Sequence, residues 1–120
     1  LVDNLKGRVV VDVEWNAKDG NLDRDLASYR SWYEAGVISA GVIITKDRPQ
    51  LLALARSIWR TYQYTLPASE RSSDLPVDLS TSTTTSFDKA AMRVRRGVMG
   101  TCPVLLIAAD ISTWNGRGFT

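Results

Sequence analysis

The strongest early pattern along the chain is an alternation from Arg8 to Asn16. Val9, Val11, Val13 and Trp15 fall on one side of it, and Arg8, Val10, Asp12, Glu14 and Asn16 on the other. A period of two is that of a β-strand, and the all-apolar side reads as its core face. Asn4 to Gly7 read as the turn before this strand, and Lys18-Asp19-Gly20-Asn21 as the turn after it. Leu26, Tyr29, Arg30 and Tyr33 then recur at helical spacing, which predicts a helix capped by Asn21 or Asp23 and ended at Gly36. Ala40 to Thr45 is a short apolar run without alternation, as in a strand covered on both faces.

Asp47 and Pro49 open a second helix by N-cap and first-turn logic. Its predicted buried stripe is Leu51, Leu52, Ala55, Ile58, Trp59 and Tyr62. Residues 65–86 break the pattern: eleven of these 22 positions are Ser or Thr, and two are proline. A loop of that length inside a compact domain is usually functional or disordered. Phe87 to Val98 predicts a third helix and Pro103 to Ala109 a last buried strand. Strands alternating with helices predict an α/β domain, and 120 residues without a linker or repeat make it a single one, 1–120.

Composition narrows the chemistry. With no histidine, the Ser-His-Asp triad, the Cys–His pair and all His-containing zinc sites are excluded. The single cysteine, Cys102, forms no internal disulfide, which points to a reducing, cytoplasmic setting. No apolar run reaches the roughly 20 residues of a membrane helix, so no membrane is expected as partner. Net charge is +2, but residues 1–36 carry seven acids against five bases and residues 87–120 five bases against two acids. An acidic start and a basic end suit a metal site beside a phosphate-binding face, though such asymmetry is also common in proteins that bind no nucleic acid.

Asp12 and Glu14 lie two apart, on one face of the first strand, with Asp3 just upstream. Adjacent carboxylates repel unless a cation or proton lies between them, and three oxygen donors suit Mg²⁺. An ion held there serves phosphodiester hydrolysis by polarising the phosphate and activating water. Set against this, charges alternating along a strand more often mark only a solvated face. In the third helix, Lys89, Arg93 and Arg96 share a face next to the hydroxyl run Ser82-Thr83-Thr84-Thr85. That side is either solvated or suited to DNA phosphates, which Ser, Thr, Lys and Arg commonly contact. Asp25, Arg24 and Arg30 read as capping and surface pairing, and Cys102 as inert core.

Val2-Asp3-Asn4, Gly7 and the stretch Val9 to Asn16 resemble the active-site strands of type II restriction endonucleases of the BglII/BstYI family, within the PD-(D/E)xK nucleases. The similarity runs on through Trp15-Asn16-Ala17-Lys18-Asp19, Asp23-Arg24-Asp25-Leu26 and Gly41-Val42-Ile43-Ile44-Thr45. It resumes at Ser82 to Thr85, Asp88-Lys89 and Gly100-Thr101-Cys102-Pro103-Val104-Leu105. This resemblance implies a restriction-endonuclease-like core, a central mixed sheet flanked by helices, corresponding to the family's catalytic half without its N-terminal segment. It implies Mg²⁺- or Mn²⁺-dependent cleavage of double-stranded DNA at a short palindrome by a homodimer, with Asp3, Asp12 and Glu14 as metal ligands. Glu14 stands where the motif's lysine is usual, and Lys18 is a candidate for the positive charge. Alternatively Glu14 and Asn16 form the motif pair, which makes Asn16 a site member. Ser82, Thr83, Thr84, Thr85, Lys89, Arg93 and Arg96 become the candidate DNA contacts. The rival reading is a shortened, catalytically inactive DNA-binding or oligomeric module of the same fold.

Overall fold

A computed structural model describes residues 2–15, 18–80 and 84–117. Four strands form one sheet in the order β1 (Asn4–Lys6), β2 (Val9–Val13), β3 (Ala40–Lys46), β4 (Val104–Ala109). β1 and β2 are antiparallel, while β2, β3 and β4 run parallel, so the sheet is mixed, as expected. The helices are α1 (Asp19–Glu34), α2 (Arg48–Thr65), α3 (Val77–Ser80) and α4 (Phe87–Arg95), with short 3-10 turns at Ala68–Glu70 and Ile111–Thr113.

The turn expected at Asn4 to Gly7 is largely a strand. Lys6 pairs with Val9, leaving Gly7 and Arg8 as a two-residue hairpin turn with φ +60° at Gly7. Glycine adopts that conformation without the Cβ clash that strains other residues. A three-residue strand is too short to show a period, which is why its sequence reads only as a turn. The helix α1 also begins earlier than expected, with Lys18 as N-cap and no side-chain cap. Asp25 therefore lies well inside the helix and has no capping role.

Register fixes the two faces of the sheet. Val10, Gly41 and Val104 stand side by side, then Asp12, Ile43 and Leu106, on the face that α1 and α4 cover. Leu22, Leu26 and Tyr29 of α1 and Ala90 of α4 close over Val10 and Ile43, with Ile38 and Cys102 completing the core. Each fully buried Val, Leu or Ile contributes about 1.5–3 kcal/mol from leaving water. Cys102 is core, as expected.

The opposite face corrects the expected core. Val9, Val13 and Trp15 are exposed (Val13 by 50%), as are Leu105 (58%) and Ile107. Val10 and Asp12, from the side assigned to solvent, are the buried residues of β2. The physical reason is that both crossovers, through α1 and through α4, bring their helices to the same side of the sheet. β3 accordingly alternates in burial along its length instead of being covered on both faces.

The second helix also differs from expectation. Asp47 caps it, with its carboxylate accepting from Gln50 N at 3.3 Å, and Pro49 lies in the first turn, as the sequence predicts. Yet none of its residues is buried, and Ile58 and Tyr62 of the expected stripe are exposed. It packs against α3 and the Ile111–Thr113 turn, away from the sheet core. The molecule is correspondingly elongated, 61 × 26 × 21 Å.

Candidate active site

Asp12 is the anchor of the site. Its side chain points toward α1 and is only 3% exposed, so its oxygens need partners. Oδ1 accepts from the backbone N–H of Asp3 at 2.7 Å, and Oδ2 accepts from the Tyr29 hydroxyl at 2.5 Å. In return the N–H of Val13 donates to Oδ2 of Asp3 at 2.7 Å. The antiparallel hairpin causes this exchange: Asn4 pairs with Val11, so Asp3 falls opposite Asp12 one step further along the ladder. Each carboxylate clasps the backbone of the other strand.

Glu14 continues the same face. Its N–H donates to the Ile44 carbonyl at 2.9 Å, and its own carbonyl accepts from the Thr45 hydroxyl at 2.8 Å, which ties it to β3. Its carboxyl is pushed up from 4.5 to about 7. Burial is the main cause, followed by a hydrogen bond with the Asp25 carboxyl and then the charges of Asp25, Asp12 and Asp3. A bond between two carboxyls needs a proton on one, and here Glu14 holds it. Four carboxylates thus share one neighbourhood: three on the hairpin and Asp25 on the helix packed over it.

Asp25 and Tyr29 are site members that the sequence reading assigned elsewhere. Asp25 is 8% exposed, with Arg24 at 3.2 Å from its Oδ1. Both residues belong to the buried stripe Leu22, Asp25, Leu26, Tyr29 of α1. An acid inside an apolar helical stripe is the signal that marks Asp25. Tyr29 is held above its usual range as an acid by burial and by Asp12, so it remains a hydroxyl donor. Its ring packs against Gly41, where any Cβ would collide with it.

The remaining expected site residues are distributed as follows. Lys18 is exposed at the start of α1, its carbonyl accepting from Asn21 N at 2.9 Å. Asn16, Ser82 and Thr83 lie outside the described residues. Thr84 accepts from Lys46 Nζ at 2.9 Å, and Thr85 is fully buried. Arg93 turns toward α1, with its Nε donating to Asp23 Oδ1 at 2.6 Å in a half-buried ion pair. Lys89 is half-buried, and Arg96, which ends α4 as its C-cap, is exposed. The basic helix face is therefore divided: Arg93 bridges two helices while Arg96 faces solvent.

No set of three acidic or cysteine side chains among the described residues stands in metal-ligating geometry. The chemistry of these carboxylates nevertheless fits a hard divalent ion. All donors are oxygens, and an oxygen that accepts one hydrogen bond keeps a second lone pair.

A mixed sheet whose helix-covered face carries a carboxylate-bearing hairpin matches the core expected for a restriction-endonuclease-like nuclease. A family model described as restriction endonuclease BglII/BglIII matches residues 1–109 of the chain. The chain belongs to this family of restriction endonucleases. Searches of curated proteins and of solved structures give no significant match. No helix among the described residues is long and apolar enough to cross a membrane.

Proposed function

We propose that this chain is a divalent-metal-dependent endonuclease that hydrolyses phosphodiester bonds of double-stranded DNA. The observation that carries the reading is the placement of Asp3 opposite Asp12, with Glu14 next on the same face, in a chain of the BglII/BglIII family. Asp3, Asp12 and Glu14 would hold Mg²⁺ or Mn²⁺, with Asp25 beside them. Such an ion, when bound, polarises the scissile phosphate and offsets the charge that develops on it. Tyr29 and the hairpin backbone hold Asp12 in one orientation, so little ordering is left for the moment of reaction. Glu14 must give up its proton to serve as a ligand, so ion binding and proton release are linked.

DNA contacts are assigned to Ser82, Thr83 and Thr84 and to Lys89 and Arg96, while Thr85, being buried, is removed from the set. Arg93 contributes by fixing α4 against α1. Two copies acting on a short palindrome would match the two-fold symmetry of the duplex, and the exposed apolar row Val9, Val13, Leu105 and Ile107 supports self-association. A cytoplasmic location accords with one buried cysteine. A specific observation also favours the inactive module: both oxygens of Asp12 are already hydrogen-bonded.

Incubating the chain with plasmid DNA and Mg²⁺ separates the two readings. The nuclease reading predicts cleavage with defined ends, lost in Asp12→Ala and in chelator. Binding of the plasmid without any cleavage in Mg²⁺ or Mn²⁺ would establish the inactive module instead.

A further inference from the structure

Beyond the carboxylates, the ends of β2 and β3 and the start of α2 enclose a second feature. A cavity of about 230 Å³ is lined by Trp15, Lys46, Arg48, Leu51, Leu52, Ala55 and Leu79. Two of these seven are cations and none is an acid. Lys46 Nζ donates to the Trp15 carbonyl at 2.6 Å and to Thr84 Oγ1 at 2.9 Å, and lies 5.7 Å from the centre of the Trp15 ring. Arg48 Nε is buried and has no hydrogen-bond partner among the described residues. A buried donor left without an acceptor destabilises the fold, so the site is arranged for an acceptor. Asp47, between the two cations in sequence, is turned to the helix: its carboxylate accepts from the N–H and the side-chain amide of Gln50.

Resting on the nuclease reading above, we propose that Lys46 and Arg48 seat one backbone phosphate of the bound DNA strand, with its sugar against Leu51, Leu52 and Leu79. Two observations converge on an anion: two cations line one cavity, and one of them has an orphaned buried N–H. Burial first, then Arg48 and Lys89, draw the Lys46 ammonium below its usual range. A phosphate accepts from the orphaned N–H and offsets the two neighbouring cations. The apolar floor favours a sugar–phosphate unit over a free inorganic ion, because the sugar covers the leucine side chains. The cavity is also in rigid register with the carboxylates. Trp15 follows Glu14 directly, and Glu14 is bonded to β3 on both its backbone groups, through Ile44 and Thr45. A phosphate seated here is thereby tied to the carboxylates through one bonded stretch of backbone.

The test is the salt dependence of duplex binding, read by fluorescence anisotropy of a labelled duplex in EDTA across a NaCl series. Each phosphate contact contributes about 0.9 to the slope of log affinity against log salt. Lys46→Gln and Arg48→Gln should each make that slope shallower by about 1, across duplexes of unrelated sequence. Lys46→Arg should restore it, and Mn²⁺ binding by calorimetry should be unchanged in all three variants. A wild-type slope in folded Lys46→Gln and Arg48→Gln overturns the proposal while leaving the nuclease reading intact. So does a Lys46→Arg variant as impaired as Lys46→Gln, since Lys46 would then act only through Trp15 and Thr84. Should Lys46→Gln fail to fold, Arg48→Gln decides alone. A wild-type chain that neither binds nor cuts DNA removes the underlying reading and this one with it.

Discussion

The Tyr29 hydroxyl on α1 donates to Oδ2 of Asp12 on β2 at 2.5 Å, across the buried interface between helix and sheet. This single bond joins the core to the chemistry. The ring of Tyr29 is part of the apolar core, while its oxygen orients the buried carboxylate of Asp12. Removing only the oxygen isolates that link. Tyr29→Phe should lower the free energy of unfolding by about 1.5–3 kcal/mol, the usual range for a hydrogen bond to a charged group. Denaturant melts measure it, and a change within about 0.5 kcal/mol, the scatter of an ordinary surface substitution, would show that Asp12 does not depend on Tyr29.

Gly41 makes room for that ring. A Cβ at position 41 would overlap the Tyr29 ring carbons, and β3 cannot retreat because it is bonded on both sides. Gly41→Ala should therefore destabilise by about 1–3 kcal/mol or more, as overpacking does. The same change made in a Tyr29→Ala background should cost much less, because the colliding atoms are gone. Equal costs in the two backgrounds would show that the contact is not the cause.

The raised carboxyl of Glu14 predicts a pH dependence of stability without metal. Its proton is held up to about pH 7 in the folded chain, against an ordinary value of 4.5. Between those values the folded state binds more protons than the unfolded state, so stability falls as pH rises. The Glu14 contribution is complete below about pH 4.5 and is lost by the time pH passes about 7. Glu14→Gln, which cannot ionise, should match the wild type near the acid end of this window and exceed its stability above it. Melts in chelator across the window measure the difference, and parallel curves for the two proteins would contradict the assignment.

How far these features can be read from the sequence depends on local signals. The N-cap Asp47 with Pro49 places α2, and the apolar run Ala40 to Thr45 places β3, because caps and β-branched runs act over a few residues. The orientation of β2 does not follow in that way. Val9, Val10, Val11 and Val13 offer apolar groups to both faces, and the covered face is set by α1 and α4, far away in sequence. Asp12 enters the core because Tyr29 and the Asp3 N–H satisfy it there, a condition that no strand period can express. Asp25 reads as a surface or capping residue only when the helix is taken to start at Asn21 or Asp23. With the start at Asp19 it falls in line with Leu22, Leu26 and Tyr29. The strand period alone puts Asp12 and Glu14 on one face, whereas Asp3 meets Asp12 through a hairpin that the turn reading of Asn4 to Gly7 does not contain.

The central claim is that these carboxylates take a divalent ion, and titration of Mn²⁺ into the apo chain by calorimetry tests it most directly. The account predicts saturable binding at a single site that releases protons at neutral pH, as Glu14 gives up its own. In folded Asp12→Asn, an isostere without the charge, that binding should weaken at least about tenfold, a loss of about 1.4 kcal/mol. Equal Mn²⁺ affinity in wild type and Asp12→Asn, or no binding to the wild type at all, would contradict it.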